Sequence, residues 1–274
     1  MGKTAWSEYE VEYLRSNYLS RKNKELASDL DLSLSTIRNG LRKLGLKKKR
    51  GFFRDNGDKH RCNSDYFENL NTTSSYILGF LLADGHISDS SRNRISIGLS
   101  KRDINVLEFI RSEICPSAPI RIYKDKDAIL NISSKKIVSD LTSLGLRHLK
   151  SGGSSIIDNI RNELRPSFLR GFFDGNGSFS WRKRTRGKYS SVEGKFNLCG
   201  PDLKVLEKFK EYIGMGSIVD RKTHFYLQSS SLENIKRFYD IIYSDDSFFL
   251  SRKKEKFLSY FKEKENDENN SNFR

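Results

Sequence analysis

Two stretches of this chain share one frame and differ at the position where chemistry is expected. YILGFLLADGHI (residues 76–87) and FLRGFFDGNGSF (168–179) each run apolar residues, a Gly, apolar residues, a small residue, a polar residue and a Gly. The polar residue is Asp84 in the first copy and Asn176 in the second. Each stretch reads as a helix that ends at this residue. A carboxylate is unfavourable at a helix C-terminus, because the carbonyl end is partly negative, and folding alone prefers Asn or Gly there. Asp84 therefore points to a compensating divalent cation. The carboxylate and the last carbonyls, at Gly85 and Gly175, are hard oxygens suited to Mg2+, with Mn2+ as a substitute. Asn before Gly at a helix end is an ordinary cap or turn, so Asn176 taken alone reads as structural.

The elements around these stretches must bring them together. Gly79 and Ala83 are four apart, as are Gly171 and Gly175, so each pair lies on one helical face. Small residues at that spacing let two backbones approach closely. Helices packed there would join positions 84 and 176 at the centre of the molecule. From residue 72 to 262 the chain also passes twice through one order of elements. After the first stretch come the strand segments HISD and RISIGLS, the helix KRDINVLEFIRSEI, the strands PIRIYKD and AILNISS, and the helix KKIVSDLTSLG. After the second come SFSWRKRTR, KFNLCG, PDLKVLEKFKEYIG, GSIVDR, HFYLQSS and SLENIKRFYDIIYS, then a further basic helix, SRKKEKFLSYFK. Two copies of this length imply a pseudo-twofold α+β fold rather than a solenoid. The polar, Asn-rich residues 263–274 read as a disordered tail.

Charge narrows the partner. The chain of 274 residues carries 50 Lys and Arg against 35 Asp and Glu, a net charge of +15. That balance favours a polyanion, because phosphate binding releases counterions. No apolar run is long enough to span a bilayer, and the N-terminus shows no signal-peptide core, so an intracellular, cytoplasmic protein is expected. Cys62, Cys115 and Cys199 are odd in number and widely spaced, which argues against a disulfide framework. His60 and Cys62 lack the second pair that a zinc site needs.

Residues 1–47 read as a separate small domain of three short helices, joined by a basic, polar linker at 48–71. Trp6, Val11, Leu14 and Tyr18 share one face behind a Ser7 cap; Leu26, Ala27 and Leu30 continue the period. A third helix turns Ile37, Leu41 and Leu44 inward, after a cap at Ser33 or Ser35. Its opposite face carries Thr36, Arg38, Asn39, Arg42 and Lys43, donors suited to base edges and phosphates, and runs on into Lys47 and Lys48. This order is the helix-turn-helix pattern, and NKELASDLDLSLSTIRNGLRKLGLKK resembles the Myb-like or resolvase-like modules attached to phage and bacterial DNA enzymes.

The paired ILGFLLADG and LRGFFDGNG motifs, each heading an αββαββα unit (72–150 and 151–262), resemble a single-chain LAGLIDADG homing endonuclease. The resemblance implies a saddle of two four-stranded antiparallel sheets along the major groove of double-stranded DNA, with the motif helices at the interface. It implies divalent metals held by the final acids over two scissile phosphates at a long target site, in a monomer serving a mobile intron or intein of phage or bacterial origin. Asp84 matches the metal-ligand position; Asn176 stands where the pattern has Asp or Glu. The family also has a Lys near each active centre, for which Lys253 or Lys254 is the better match and Lys150 the weaker. Asp174, two residues before Asn176, is about 200° round the helix and should face away. The strands supply the groove-facing donors: Arg92, Arg94, Arg121 and Lys124 in the first half, and Arg182, Lys183, Arg184, Arg186, Lys188, Lys195, Arg221 and Lys222 in the second. Strand alternation allows about half of them to face DNA. The expected activity is site-specific cleavage of DNA, as an enzyme, a nickase or an inactivated form. The alternatives are a non-cleaving DNA-binding regulator or an RNA-binding splicing factor on the same fold.

Overall fold

A computed structural model describes residues 6–18, 21–46, 62–88, 93–146, 154–186, 189–200, 202–245 and 247–272. Lys47, Lys48, Arg92, Lys150 and Lys188 lie outside these residues, and of Arg186 only the backbone is described. Near the N-terminus are α1 (Glu8–Asn17), α2 (Asn23–Asp29) and α3 (Leu34–Lys43). Ser7 and Glu10 form a reciprocal capping box on α1, and Ser33 caps α3 by accepting from Thr36 N at 3.1 Å. Leu14, Leu26, Ala27, Ile37 and Leu41 form a core of their own. The Trp6 ring lies so close to Gly40 that a Cβ there would fall 2.2 Å from it.

The larger body opens with α4 (Thr72–Asp84), which runs directly into β1 (Gly85–Ile87). Then follow β2 (Arg94–Ser100), α5 (Ile104–Ile114), β3 (Ile120–Tyr123), β4 (Asp127–Ser133), α6 (Lys135–Leu144) and a short α7 (Ser154–Asn159). The second copy has α8 (Arg165–Asn176), β5 (Gly177–Arg186), β6 (Tyr189–Gly200), α9 (Leu203–Ile213), β7 (Ser217–Asp220), β8 (Phe225–Ser229), α10 (Leu232–Ile242) and α11 (Ser251–Asn272). Each copy forms a four-stranded antiparallel sheet, ordered β1-β2-β4-β3 and β5-β6-β8-β7. Helices cover one face of each, as the alternation in β2 and β4 shows: Ile95, Ile97, Ala128, Leu130 and Ile132 are buried while their neighbours are not.

Helix α4 is apolar all round and buried from Ser74 to Ala83, as befits a helix at the centre of a core. It packs along α8 through main chain. A Cβ on Gly79 would lie 1.9 Å from Phe168 O, and one on Gly171 1.9 Å from Tyr76 O. Further along, a Cβ on Gly175 would fall 2.4 Å from the Ala83 methyl. Only glycine permits this approach. Phe109 of α5 stacks on Phe248 of the second copy, centroids 4.0 Å apart, and so ties the halves on a second flank.

Two expectations are overturned. Residues 263–272 are not a disordered tail, for α11 continues to Asn272. It is pinned to the β5–β6 hairpin by Trp181 Nε1 donating to Ser259 Oγ at 3.0 Å, by a Lys183–Glu263 ion pair at 2.7 Å and by Ser190 donating to Asp267. Cys62 and Cys115 are joined as a disulfide, leaving Cys199 free; their sequence separation of 53 hides a pairing that the fold creates. Among the described residues no helix is long and apolar enough to cross a membrane.

Candidate functional site

The ends of α4 and α8 meet at the seam between the sheets. Asn176 Nδ2 donates to Ala83 O across that seam at 3.2 Å. Asp84 stands beside it, half-buried, and a Cβ on Gly175 would lie 3.4 Å from Asp84 Oδ2. Positions 84 and 176 are therefore brought together, as the glycine spacing implied. A cavity of about 290 Å3 opens at Asp84, lined also by Gly175, Ser100, Asp103, Asp174 and Arg252.

Asp174 does not face away as expected; it is 2% exposed and lines the same cavity. Its Oδ2 accepts from Tyr76 OH at 2.9 Å and Leu250 N at 2.8 Å, while among the described residues Oδ1 has no hydrogen-bond partner. Burial pushes this carboxyl up to about 6, against the opposing pull of Lys253. A carboxyl raised in the folded state favours folding most when protonated. Stability from this group is thus fully present below its unfolded value near 3.8 and is lost as pH rises through about 6. Asp174→Asn should remove that slope, so its melting temperature should gain on wild type as pH rises from about 4 to 6. Melting curves across that range check it.

The two lysines expected near the centre have other partners. Lys253 is buried, and its Nζ donates to Phe173 O, Asp174 O and Gly177 O, each at 2.7 Å. It caps the C-terminus of α8, the electrostatic place for a cation. Burial lowers its ammonium to about 8. Lys254 lies over the rings of Tyr243 and Phe249, 5.1 and 4.3 Å from their centroids. The cations that border the cavity are Arg102 and Arg252, and Nε and Nη2 of Arg252 bond both oxygens of Asp103 at 2.6 Å. That pair joins the second copy to the first over 149 residues, and no local pattern could have announced it.

Register fixes which strand residues face away from the helices, because paired residues share a face. In the first sheet Arg94 pairs with Ser133 and Arg121 with Ile129, all on the outward face. His86, paired with Ser96, joins them. In the second, Arg182 pairs with Glu193, Arg184 with Ser191 and Ser180 with Lys195, again outward. Lys124, Arg221 and Lys222 sit in the exposed turns between β3 and β4 and between β7 and β8. Tyr123 and Tyr226 share the outward faces, whereas Trp181 and Lys183 point to the helix side. Glu193 went unnoticed in sequence; its Oε2 bonds Arg182 and Arg184, each at 3.1 Å, and fixes both guanidiniums. On α3, Arg38, Asn39, Arg42 and Lys43 are exposed, while the Thr36 hydroxyl lies 2.7 Å from Ser33 Oγ within the cap.

This architecture is that of the LAGLIDADG meganucleases. Residues 169–264 match the LAGLIDADG endonuclease family model. Among solved structures, the LAGLIDADG meganuclease I-AabMI bound to uncleaved DNA aligns with a TM-score of 0.55 at 14% identity, over 73% of this chain and 92% of that one. The meganuclease I-SmaMI bound to an uncleaved DNA target in the presence of calcium ions gives 0.53 at 15%, over 75% and 94%. I-SmaMI bound to uncleaveable DNA gives 0.51 at 15%, over 71% and 88%. At these identities the likeness is one of fold. No curated protein matches the chain.

Proposed function

We propose that this chain is a monomeric, site-specific endonuclease of the homing type that acts on double-stranded DNA through a single carboxylate centre at Asp84, and so nicks one strand. The observation that carries it is the packing of α4 on α8. That contact delivers Asp84 to the seam between two sheets whose outward faces bear Arg94, Arg121, Arg182, Arg184 and Lys195. Meganucleases of the same fold have been captured on DNA, one of them with calcium ions.

Each group then has a physical task. The outward cations hold phosphates, and guanidiniums fixed by Glu193 are pre-ordered for the acceptor pair on a guanine edge. Residues 1–47 serve as a helix-turn-helix module, with Arg38, Asn39, Arg42 and Lys43 extending the site; the expected linker cannot run to residue 71, because Cys62 is joined to Cys115 and Phe67 is buried in the core of the larger body. The repeats are 72–150 and 151–262, the second lengthened by α11. Among the described residues no three His, Cys, Asp or Glu side chains are placed to hold a metal ion together, so a bound Mg2+ or Mn2+ would lean on the Asp84 carboxylate, main-chain carbonyls and the substrate's phosphate oxygens. Such an ion, when bound, supplies charge for the phosphoryl oxygens and a water acidic enough to attack near neutral pH. Asp84 would hold and orient it. Service to a mobile element of bacterial or phage origin is part of this proposal.

One observation favours a second reading. The Asn176 amide already satisfies Ala83 O, as suits a DNA-binding protein that does not cleave. Duplexes selected by the protein from a randomised pool, cloned into supercoiled plasmid and incubated with Mg2+, decide between them. Nicked circles are expected from the wild-type chain. Asp84→Asn should slow nicking at least about a hundredfold, the equivalent of about 2.7 kcal/mol of charge stabilisation, with binding unchanged. Binding without nicking in either Mg2+ or Mn2+ would establish the second reading instead.

A further inference from the structure

On the reading of Asp84 and Asn176 as two halves of one centre, we infer that the chain carries its own substitute for a second cation: the Asn176 amide locks the end of α8 to the end of α4 without metal, and the Lys253 ammonium caps α8 beside it. Two helices that end side by side bring two sets of unsatisfied carbonyls together, and their partly negative ends repel. Something positive must therefore meet each end.

At the end of α4 that something is Asn176 Nδ2, 3.2 Å from Ala83 O. Only the amide nitrogen can face a carbonyl at that distance, because the amide oxygen would set acceptor against acceptor. At the end of α8 it is Lys253, whose ammonium spends its three donors on Phe173 O, Asp174 O and Gly177 O. A cation on the Asn176 side would have to displace an amide proton from Ala83 O and compete with an ammonium for the neighbouring carbonyls. The donor set there does not fit one. On the other side, Asp84 offers a carboxylate, and the fit is retained. Seating a carboxylate at 176 would turn Ala83 O from a satisfied acceptor into the neighbour of an anion, with Asp84 close at hand. A metal-independent seam would become a metal-dependent one.

Melting temperatures of the full chain in EDTA and in millimolar MgCl2, at matched ionic strength, test this. Wild type, in which one cation at Asp84 still fits, should rise in MgCl2 by less than Asn176→Asp does. Asn176→Asp should fall by about 3–6 °C in EDTA and recover in MgCl2. Asn176→Ala loses the donor without adding charge, so it should fall less and show no recovery beyond the wild-type rise; it also decides the matter if Asn176→Asp does not fold. A wild-type curve that rises in MgCl2 as far as that of Asn176→Asp would overturn the inference. So would Asn176→Asp or Asn176→Ala melting like wild type in EDTA. None of these results depends on DNA cleavage, so the lock can stand if the plasmid test shows none and can fail if the plasmid is nicked.

Discussion

Gly171→Val should cost more than about 3 kcal/mol, beyond the usual range for overpacking, and lower the melting temperature by about 10 °C or abolish soluble expression. The first added atom would already stand 1.9 Å from Tyr76 O and 2.9 Å from Phe80 N. Those are main-chain atoms in the middle of α4, so no rotamer change can relieve the clash. The helices must separate, and the separation is felt at once by Asn176 and Ala83, which bond across the same seam. Gly98→Ala is the matched control. It lies on the outward face of β2, where an added Cβ would meet only Ile129 Cγ1 at 3.8 Å, and its melting temperature should stay within about 2 °C of wild type. Denaturant titration of both variants measures the contrast.

The second large effect is expected at Arg170, a fully buried arginine inside a motif helix. Its Nε donates to Phe248 O at 3.1 Å, Nη1 to Ile242 O at 2.8 Å, and Nη2 to Asp245 Oδ1 at 2.9 Å and Ser167 Oγ at 3.3 Å; Ser247 Oγ is bonded as well. One side chain thus fastens the α10–α11 connection to α8, with its guanidinium 5.8 Å over the Tyr76 ring of α4. Arg170→Met should cost about 3–5 kcal/mol, because it strands a carboxylate and two carbonyls that the arginine had satisfied. The loss should depend on pH. Burial alone would raise the Asp245 carboxyl, but hydrogen bonds from Arg170 and Ser247 outweigh it and hold it at about 2. A depressed carboxyl contributes stability above its unfolded value near 3.8 and loses it as pH falls toward 2. The gap between Arg170→Met and wild type should therefore be widest at neutral pH and narrow below about 4. Unfolding curves at several pH values check this.

What the sequence disclosed follows the reach of its signals. Periods of 3.6 and 2 are local, and they located the motif helices, the strands and the inward residues of α1 to α3. Small residues four apart were enough to bring positions 84 and 176 together. What remained hidden depended on partners far along the chain. Arg170 looks like one more cation in a basic protein until the connection after α10 folds over it. Lys253 sits in SRKKEKF, where nothing local separates a cap on α8 from a cation at the site. The polar residues of α11 look disordered because the groups that hold them, Lys183 and Ser190, lie about 80 residues earlier. Asp174 was placed by angle on an isolated helix, but at a seam between two helices both flanks face inward. Asn176 shows the limit best, since its amide acts on a carbonyl 93 residues away.

The unequal hairpins give the molecule a direction. β1 and β2 run 3 and 7 residues, whereas β5 and β6 run 10 and 12 and are braced by α11 along their length. At about 3.3 Å per residue, one arm reaches much farther from the seam than the other. On the proposed function, a duplex turned end for end would meet a different set of contacts, so a target has no need to be palindromic. The same strand would then be presented to Asp84 in every encounter.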